Sequence, residues 1–212
     1  MPQRGIVGRL MGLCVTVSLA ACATAPSDLE TLNQSTVLVE HAKGHGTGTI
    51  VGRHAVLTAH HVVQESPLQV TFFEGQTTTG SVVWQNPAFD LALIEVDVPE
   101  GYPVPDWSCA DLRAGQHLVS IGHPTQSRWV AVGGYLPESR TVGDIGLVPL
   151  GFPIGLGTSG GPVFDGEGRV VGVALAILAE RSTASAAYDR YQDSGIGLML
   201  PATAICNTIL MG

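Results

Sequence analysis

The stretch GTSGGPVFD at 157–165 sets one serine, Ser159, among three glycines just ahead of a short apolar run. Glycine-rich turns between strands are common, and serine is a usual turn residue because its hydroxyl bonds to nearby backbone. Taken alone, the stretch admits two readings, a turn or an exposed nucleophile. The residues that follow are clearer. Asp165-Gly166-Glu167-Gly168 lies between PVF and RVVGV, and Asp-Gly between two β-branched runs is a strong short-range hairpin signal.

Working outward, the same pattern of short apolar or alternating runs broken by Gly, Pro, Asn and Asp covers nearly everything after residue 35. A first set of strands is expected at 36–40, 47–51, 55–58, 68–73, 81–84 and 91–96. Pro99, Pro103 and Pro105 then interrupt the pattern and mark a connection. A second set follows at 117–121, 128–132, 146–150, 162–164, 169–177 and 195–200. Two sets of six predict an all-β fold of two packed six-stranded antiparallel barrels, about 35–104 and 115–200, an arrangement that leaves few free strand edges. After Pro201, Ile205, Ile209 and Leu210 fall on one helical face, which predicts a short C-terminal helix over 202–211. The polar insert 180–193, with Tyr188 and Tyr191 as its large apolar residues, reads as a mobile surface loop. Length and composition agree with this picture. A chain of 212 residues suits one domain or two small lobes, and 13% charged residues with 27 glycines favour tight turns over a helical bundle.

Residues 1–21 read as an export signal. Arg4 and Arg9 supply its positive end, and the apolar run 10–21 is too short to span a bilayer. Leu19-Ala20-Ala21-Cys22 resembles the lipobox of bacterial lipoproteins, which implies lipidation at Cys22 and a tether over 22–34. The small-residue pattern Ala21-Cys22-Ala23 also permits cleavage to a soluble protein. The formal charge is −8, and loss of Arg4 and Arg9 makes it more negative. That excludes nucleic acid as a natural partner, since a phosphate backbone demands clustered Lys and Arg. With Cys14 removed and Cys22 acylated, Cys109 and Cys206 remain, either as one disulfide in an oxidising compartment or as two buried thiols. His41, His45, His54, His117 and His123 show no metal-ligand spacing and there is no CxxC, so neither a metal nor a cofactor is expected.

Acyl transfer by serine needs a base to take the hydroxyl proton and a third group to hold that base in one tautomer. Candidates exist for both. AVLTAHHVV at 55–63 ends a strand in His60 and His61, and Asp90 sits at the entrance to LALIEV. Together the blocks GTGTIVGRHAVLTAHHVV, FDLALIEVD, QHLVSIGHP, GTSGGPVFDGEGRVVGV and GIGLMLP resemble the trypsin-like serine proteases, most closely the bacterial HtrA (Deg) branch. The order His, Asp, Ser is the one found in chymotrypsin. The resemblance implies a chymotrypsin-like two-barrel fold. It assigns His61 as base, with His60 the alternative by register, Asp90 as its orienting carboxylate and Ser159 as nucleophile. The backbone N–H groups of Gly157 and Ser159 would form the oxyanion hole, and Pro153, Leu175 and Ile177 would line the substrate pocket. Pro153 replaces the aspartate that selects Lys or Arg, and Ile177 falls where a glycine keeps the pocket open. Small or medium aliphatic residues are therefore the expected preference.

Thr158 stands where digestive trypsins carry an aspartate that pairs with a new N-terminus, so that activation is not expected. Control would fall to loops at 126–144 or 180–193. HtrA proteins usually continue into a PDZ domain, whereas this chain stops at Gly212, so no PDZ module is expected and the oligomeric state is left open. Some trypsins join the regions of Cys109 and Cys206 by a disulfide. The expectation is a serine endopeptidase acting on extended or unfolded envelope polypeptides. It would be lipid-anchored facing the periplasm, at the outer membrane because Ala23 rather than Asp follows Cys22, or else soluble in the periplasm or secreted. A catalytically silent lipoprotein of the same fold that binds peptides or partner proteins is the alternative, and an esterase a third.

Overall fold

A computed structural model describes residues 28–137, 141–181 and 191–210. Six strands, β1 (Thr36–His41), β2 (Gly44–Gly52), β3 (Ala55–Ala59), β4 (Leu68–Thr71), β5 (Thr77–Asn86) and β6 (Leu91–Glu95), close an antiparallel barrel in the order β1-β2-β3-β6-β5-β4. The remaining six are β7 (His117–Gly122), β8 (Val130–Tyr135), β9 (Val148–Pro153), β10 (Pro162–Phe164), β11 (Val170–Arg181) and β12 (Tyr191–Pro201). They form a sheet in the order β8-β7-β10-β11-β12-β9. This sheet curls until β8 and β9 meet, where a side chain on Gly151 would collide with the Tyr135 carbonyl and one on Gly134 with the Phe152 ring. The molecule is thus the expected pair of six-stranded antiparallel barrels, followed by the helix α2 (Ala202–Leu210).

The barrels share one apolar interior. Val173, Leu175, Leu200 and Ile205 of the second half belong to the same buried cluster as Val37, Ile50, Leu57 and Ile94 of the first. The proline-broken connector runs along the seam. Ser108 N–H donates to the Val170 carbonyl at 2.9 Å, and Val170 N–H to that of Asp106 at 2.8 Å. Cys109 in the connector and Cys206 on α2 are joined by a disulfide across 97 residues, with Cα atoms 6.2 Å apart.

The hairpin after Ser159 forms as its turn chemistry requires. Buried Asp165 accepts from the N–H groups of Glu167 and Arg169 at 3.1 and 2.9 Å, and Gly168 takes the left-handed backbone, φ +77°.

Four local expectations are corrected. The tether reading of 22–34 gives way at its end to α1 (Leu29–Gln34), capped by Asp28 and anchored by Leu32 against Ile121, Phe164 and Val170. One capped turn with a single apolar anchor carries too weak a period to be read from sequence. The strand expected at 128–132 starts instead at Val130, because Trp129 has φ +48° and directs its side chain to the first barrel. The loop expected over 126–144 contains β8, and residues 138–140 lie outside the described residues. The insert 180–193 is in part strand, since Glu180 pairs with Gln192 and Arg181 with Tyr191. Ladder bonds join backbone groups, so a polar ribbon extends a hairpin without an apolar pattern. Residues 182–190 lie outside the described residues, as does Cys22 with the rest of 1–27.

Candidate active site

The first barrel delivers the imidazole. β3 ends at Ala59 and runs straight into a 3-10 turn, His60–Val63, which projects two consecutive histidines in different directions. The His61 ring meets Asp90, with Nδ1 2.7 Å from Oδ2, and the His61 backbone N–H donates to Oδ1 of the same carboxylate at 3.0 Å. His60 turns to Gln64 instead, its Nε2 2.9 Å from the amide nitrogen. Asp90 reaches this position through a left-handed backbone, φ +53°, at the mouth of β6, where its own carbonyl accepts from His60 N–H at 3.0 Å. One aspartate therefore grips the turn by main chain and side chain at once. A non-glycine residue with positive φ is costly and persists where its surroundings over-determine it.

The second barrel delivers the serine. The Ser159 carbonyl accepts from Thr47 N–H on β2 at 2.8 Å, and the next residue, Gly160, donates its N–H to the Ala174 carbonyl on β11 at 2.7 Å. Ser159 is thus pinned at the seam between the barrels. Its hydroxyl donates to the Leu175 carbonyl at 3.2 Å, and among the described residues His61 Nε2 has no hydrogen-bond partner. Among the described residues, the N–H groups of Gly157 and Ser159 donate to no protein group. Gly157 has φ +99°, a conformation that only glycine adopts at little cost. An imidazole held by a carboxylate can take the proton of a hydroxyl, and two backbone donors beside that hydroxyl can stabilise an oxyanion.

Thr47, which sequence reasoning passed over, and His123, which it considered only as a metal ligand and set aside, stand directly behind this loop. Thr47 Oγ1 donates to the Gly157 carbonyl at 2.7 Å, and His123 Nδ1 lies 3.0 Å from Thr47 Oγ1. Both residues are fully buried. Burial, with the Arg128 charge and His45 beside it, pushes the His123 ring down to about 3, so it is neutral at ordinary pH. No local signal marks the pair, which is separated by 76 residues. Among the described residues, no group of three His, Cys, Asp or Glu is placed to hold a metal ion.

The resemblance names Pro153, Leu175 and Ile177 for the substrate pocket. Pro153 borders a cavity of about 270 Å³ with Ser120, Pro124, Ile154 and Thr158, whereas Leu175 is buried and Ile177 pairs with Gly197 on β12. A side chain on Gly197 would fall 2.9 Å from Ile154 and Leu150, which puts Ile154 next to the Ile177–Gly197 pair.

A family model described as the trypsin-like peptidase domain matches residues 46–173, a span holding the Asp90–His61 pair and the Ser159 loop. The chain belongs to this family. Among similar proteins, "Serine protease Do-like HtrA" of Bacillus subtilis (strain 168) is 27% identical over 179 residues, 76% of this chain and 38% of its own length. A "Probable periplasmic serine endoprotease DegP-like" of Chlamydia trachomatis is 33% identical over 142 residues, 63% of this chain and 28% of its own. This peptidase domain therefore spans well under half the length of these relatives. The serine endoprotease of Yersinia pestis superposes with a TM-score of 0.70 at 20% identity, over 88% of this chain and 66% of that one, a likeness of fold.

Proposed function

We propose that this trypsin-like peptidase domain is a serine endopeptidase of the cell envelope. The observation that carries the reading is the double grip of Asp90 on His61, through ring and backbone, together with a Ser159 loop whose Gly157 and Ser159 N–H groups have no protein partner among the described residues. In this mechanism Ser159 Oγ rotates from the Leu175 carbonyl toward His61 Nε2 and attacks the substrate carbonyl carbon. Its proton passes to Nε2, and the developing oxyanion takes the N–H groups of Gly157 and Ser159. Asp90 stabilises the imidazolium, which then protonates the leaving amine as the acyl-enzyme forms. Water, deprotonated by His61, releases the acid and restores Ser159.

The substrate is an extended polypeptide segment, preferred after small or medium aliphatic residues. Branched side chains of Ile154 and Ile177 around Gly197 support an apolar and shallow primary site. A cleavage profile from a peptide library dominated by Arg or Phe would overturn that preference. Export, lipidation at Cys22 and a periplasmic location fit the leader-like N-terminus and the periplasmic designation of DegP-like relatives.

One observation favours a second reading. Because the Ser159 hydroxyl rests on the Leu175 carbonyl, the fold also suits a silent peptide-binding protein. Labelling the purified protein with a fluorophosphonate probe separates the two. Labelling that is lost in Ser159→Ala and His61→Ala but kept in His60→Ala supports the peptidase, and an unlabelled wild type supports the binding protein.

A further inference from the structure

We propose that Thr47 and His123 are a positioning pair that fixes the direction of the two N–H donors in the Ser159 loop, with His123 held as its Nδ1–H tautomer. The inference rests on the serine-peptidase reading above and concerns groups that contact no substrate. Glycines let the loop reach its conformation and equally let its peptide planes turn over, so something outside the loop must hold them.

Thr47 holds two of the loop's planes from behind, the 157–158 and 159–160 peptides. These lie on either side of the one that carries the Ser159 N–H, whose Thr158 carbonyl accepts from Gly161 N–H at 2.9 Å. The Thr47 N–H binds the Ser159 carbonyl at 2.8 Å and its hydroxyl binds the Gly157 carbonyl at 2.7 Å. A further plane carries the Gly157 N–H itself, and there the Leu156 carbonyl accepts from Thr125 N–H at 2.8 Å. A trans peptide is planar with its C=O and N–H opposed, so gripping that carbonyl aims the N–H the other way.

The tautomer follows by counting protons. A hydroxyl has a single hydrogen, and that of Thr47 is directed to Gly157 O. Toward His123 it can only accept, which it does from the backbone N–H at 3.2 Å and from Nδ1 at 3.0 Å. Nδ1 therefore bears the proton, and Nε2 is left as a buried lone pair with no hydrogen-bond partner among the described residues. His123 is in turn fixed by both barrels. Its carbonyl accepts from His45 Nε2 at 2.8 Å, and its ring meets Trp129 edge-on at 4.7 Å. Trp129 Nε1 donates to the Thr36 carbonyl at 3.1 Å on β1. Thr125 and Trp129, with φ +56° and +48°, flank this segment as non-glycine residues in left-handed backbone, a cost retained where geometry is imposed by packing.

The test uses the full chain. Thr47→Val keeps the shape and removes the hydroxyl, whereas Thr47→Ser restores it. His123→Phe keeps a ring for Trp129 and removes the donor, whereas His123→Asn supplies an N–H near the place of Nδ1. The expected result is a loss of about 10²-fold in kcat for Thr47→Val with KM little changed, as for loss of one oxyanion donor. His123→Phe falls in the same direction, and Thr47→Ser and His123→Asn recover most of the loss. Should Thr47→Val fail to fold, the two His123 variants make the same comparison. Equal kcat in Val and Ser, or in Phe and Asn, overturns the proposal.

Nitrogen NMR of Ser159→Ala protein gives a readout that needs no activity. Nδ1–H on His123, with amide resonances of Gly157 and of position 159 that move in Thr47→Val and not in Thr47→Ser, supports the positioning role. An Nε2–H tautomer, or amides indifferent to Thr47, overturns it. An unreactive wild type would sink the peptidase reading alone, because the amide readout would still decide this one.

Discussion

Asp90 shows how much one residue can settle. Its backbone carbonyl and both carboxylate oxygens are engaged by His60 and His61, and it accepts φ +53° to do so. Asp90→Asn keeps the shape but presents an amide N–H to one of two N–H donors. The expected outcome is a fall of about 10⁴-fold in kcat at neutral pH with little change in stability, read by kinetics beside thermal unfolding. Unchanged kinetics would remove Asp90 from the mechanism.

His123 makes a second prediction, this time about pH. Its folded value is depressed to about 3 by burial, with the Arg128 charge and His45 adding to the effect, while an unfolded histidine titrates near 6.5. Below pH 6.5 the unfolded chain binds a proton that the folded chain refuses. Stability is therefore complete above that pH and falls by about 1.4 kcal/mol per unit toward pH 3. Urea unfolding at pH 7, 5.5 and 4.5 should show the slope in the wild type and a shallower one in His123→Asn. Identical slopes would mean that carboxylates alone set the acid limit.

At the scale of the element, β2 explains how two barrels come so close. Its alternate residues Gly46 and Gly48 turn toward the interior with no side chain, and a Cβ there would lie 2.5 Å from methyls of Val62 and Val56 respectively. β1, β3 and the histidine turn can therefore pack down onto the strand. The opposite register positions, Thr47 and Thr49, are buried instead against the second barrel, with the Thr49 hydroxyl 3.4 Å from the Gly160 carbonyl. The apolar-in, polar-out alternation of a half-exposed strand is thus absent, since both faces of β2 are covered. Gly48→Ala should destabilise the protein by about 1–3 kcal/mol through overpacking, measured by denaturant unfolding. No loss would show that Val56 and Val37 can move aside.

For the whole molecule, the seam is where fold and chemistry coincide. A shared core binds the barrels, and the Cys109–Cys206 bond ties the connector to α2. Closing a loop of 97 residues restricts the unfolded chain, and the chain-entropy account gives a few kcal/mol for it. Reduction, or paired Cys109→Ser and Cys206→Ser, should lower stability by about 2–4 kcal/mol and shift the melting temperature downward. Two thiols free to alkylating reagent in the native oxidised protein would contradict the bond.

The sequence by itself determined two sets of six strands, though not all of their bounds, with the proline-marked connector, the Asp165 hairpin and the serine in its glycine loop. Each of these depends on local matters, namely period-two alternation, turn chemistry and the φ values open to glycine, which act within a few residues. The resemblance favoured His61 over His60 through the valine that follows it, and the tertiary structure shows how the His61 ring reaches Asp90, by a 3-10 turn packed through Val62 and Val63. Only the tertiary structure brought Thr47 behind Gly157, 110 residues away, and His123 onto Thr47. It likewise rested the Ser159 hydroxyl on Leu175. A hydrogen bond between distant residues exists only once the barrels have packed. Its geometry is a property of the seam and leaves no trace in the composition or spacing of either partner.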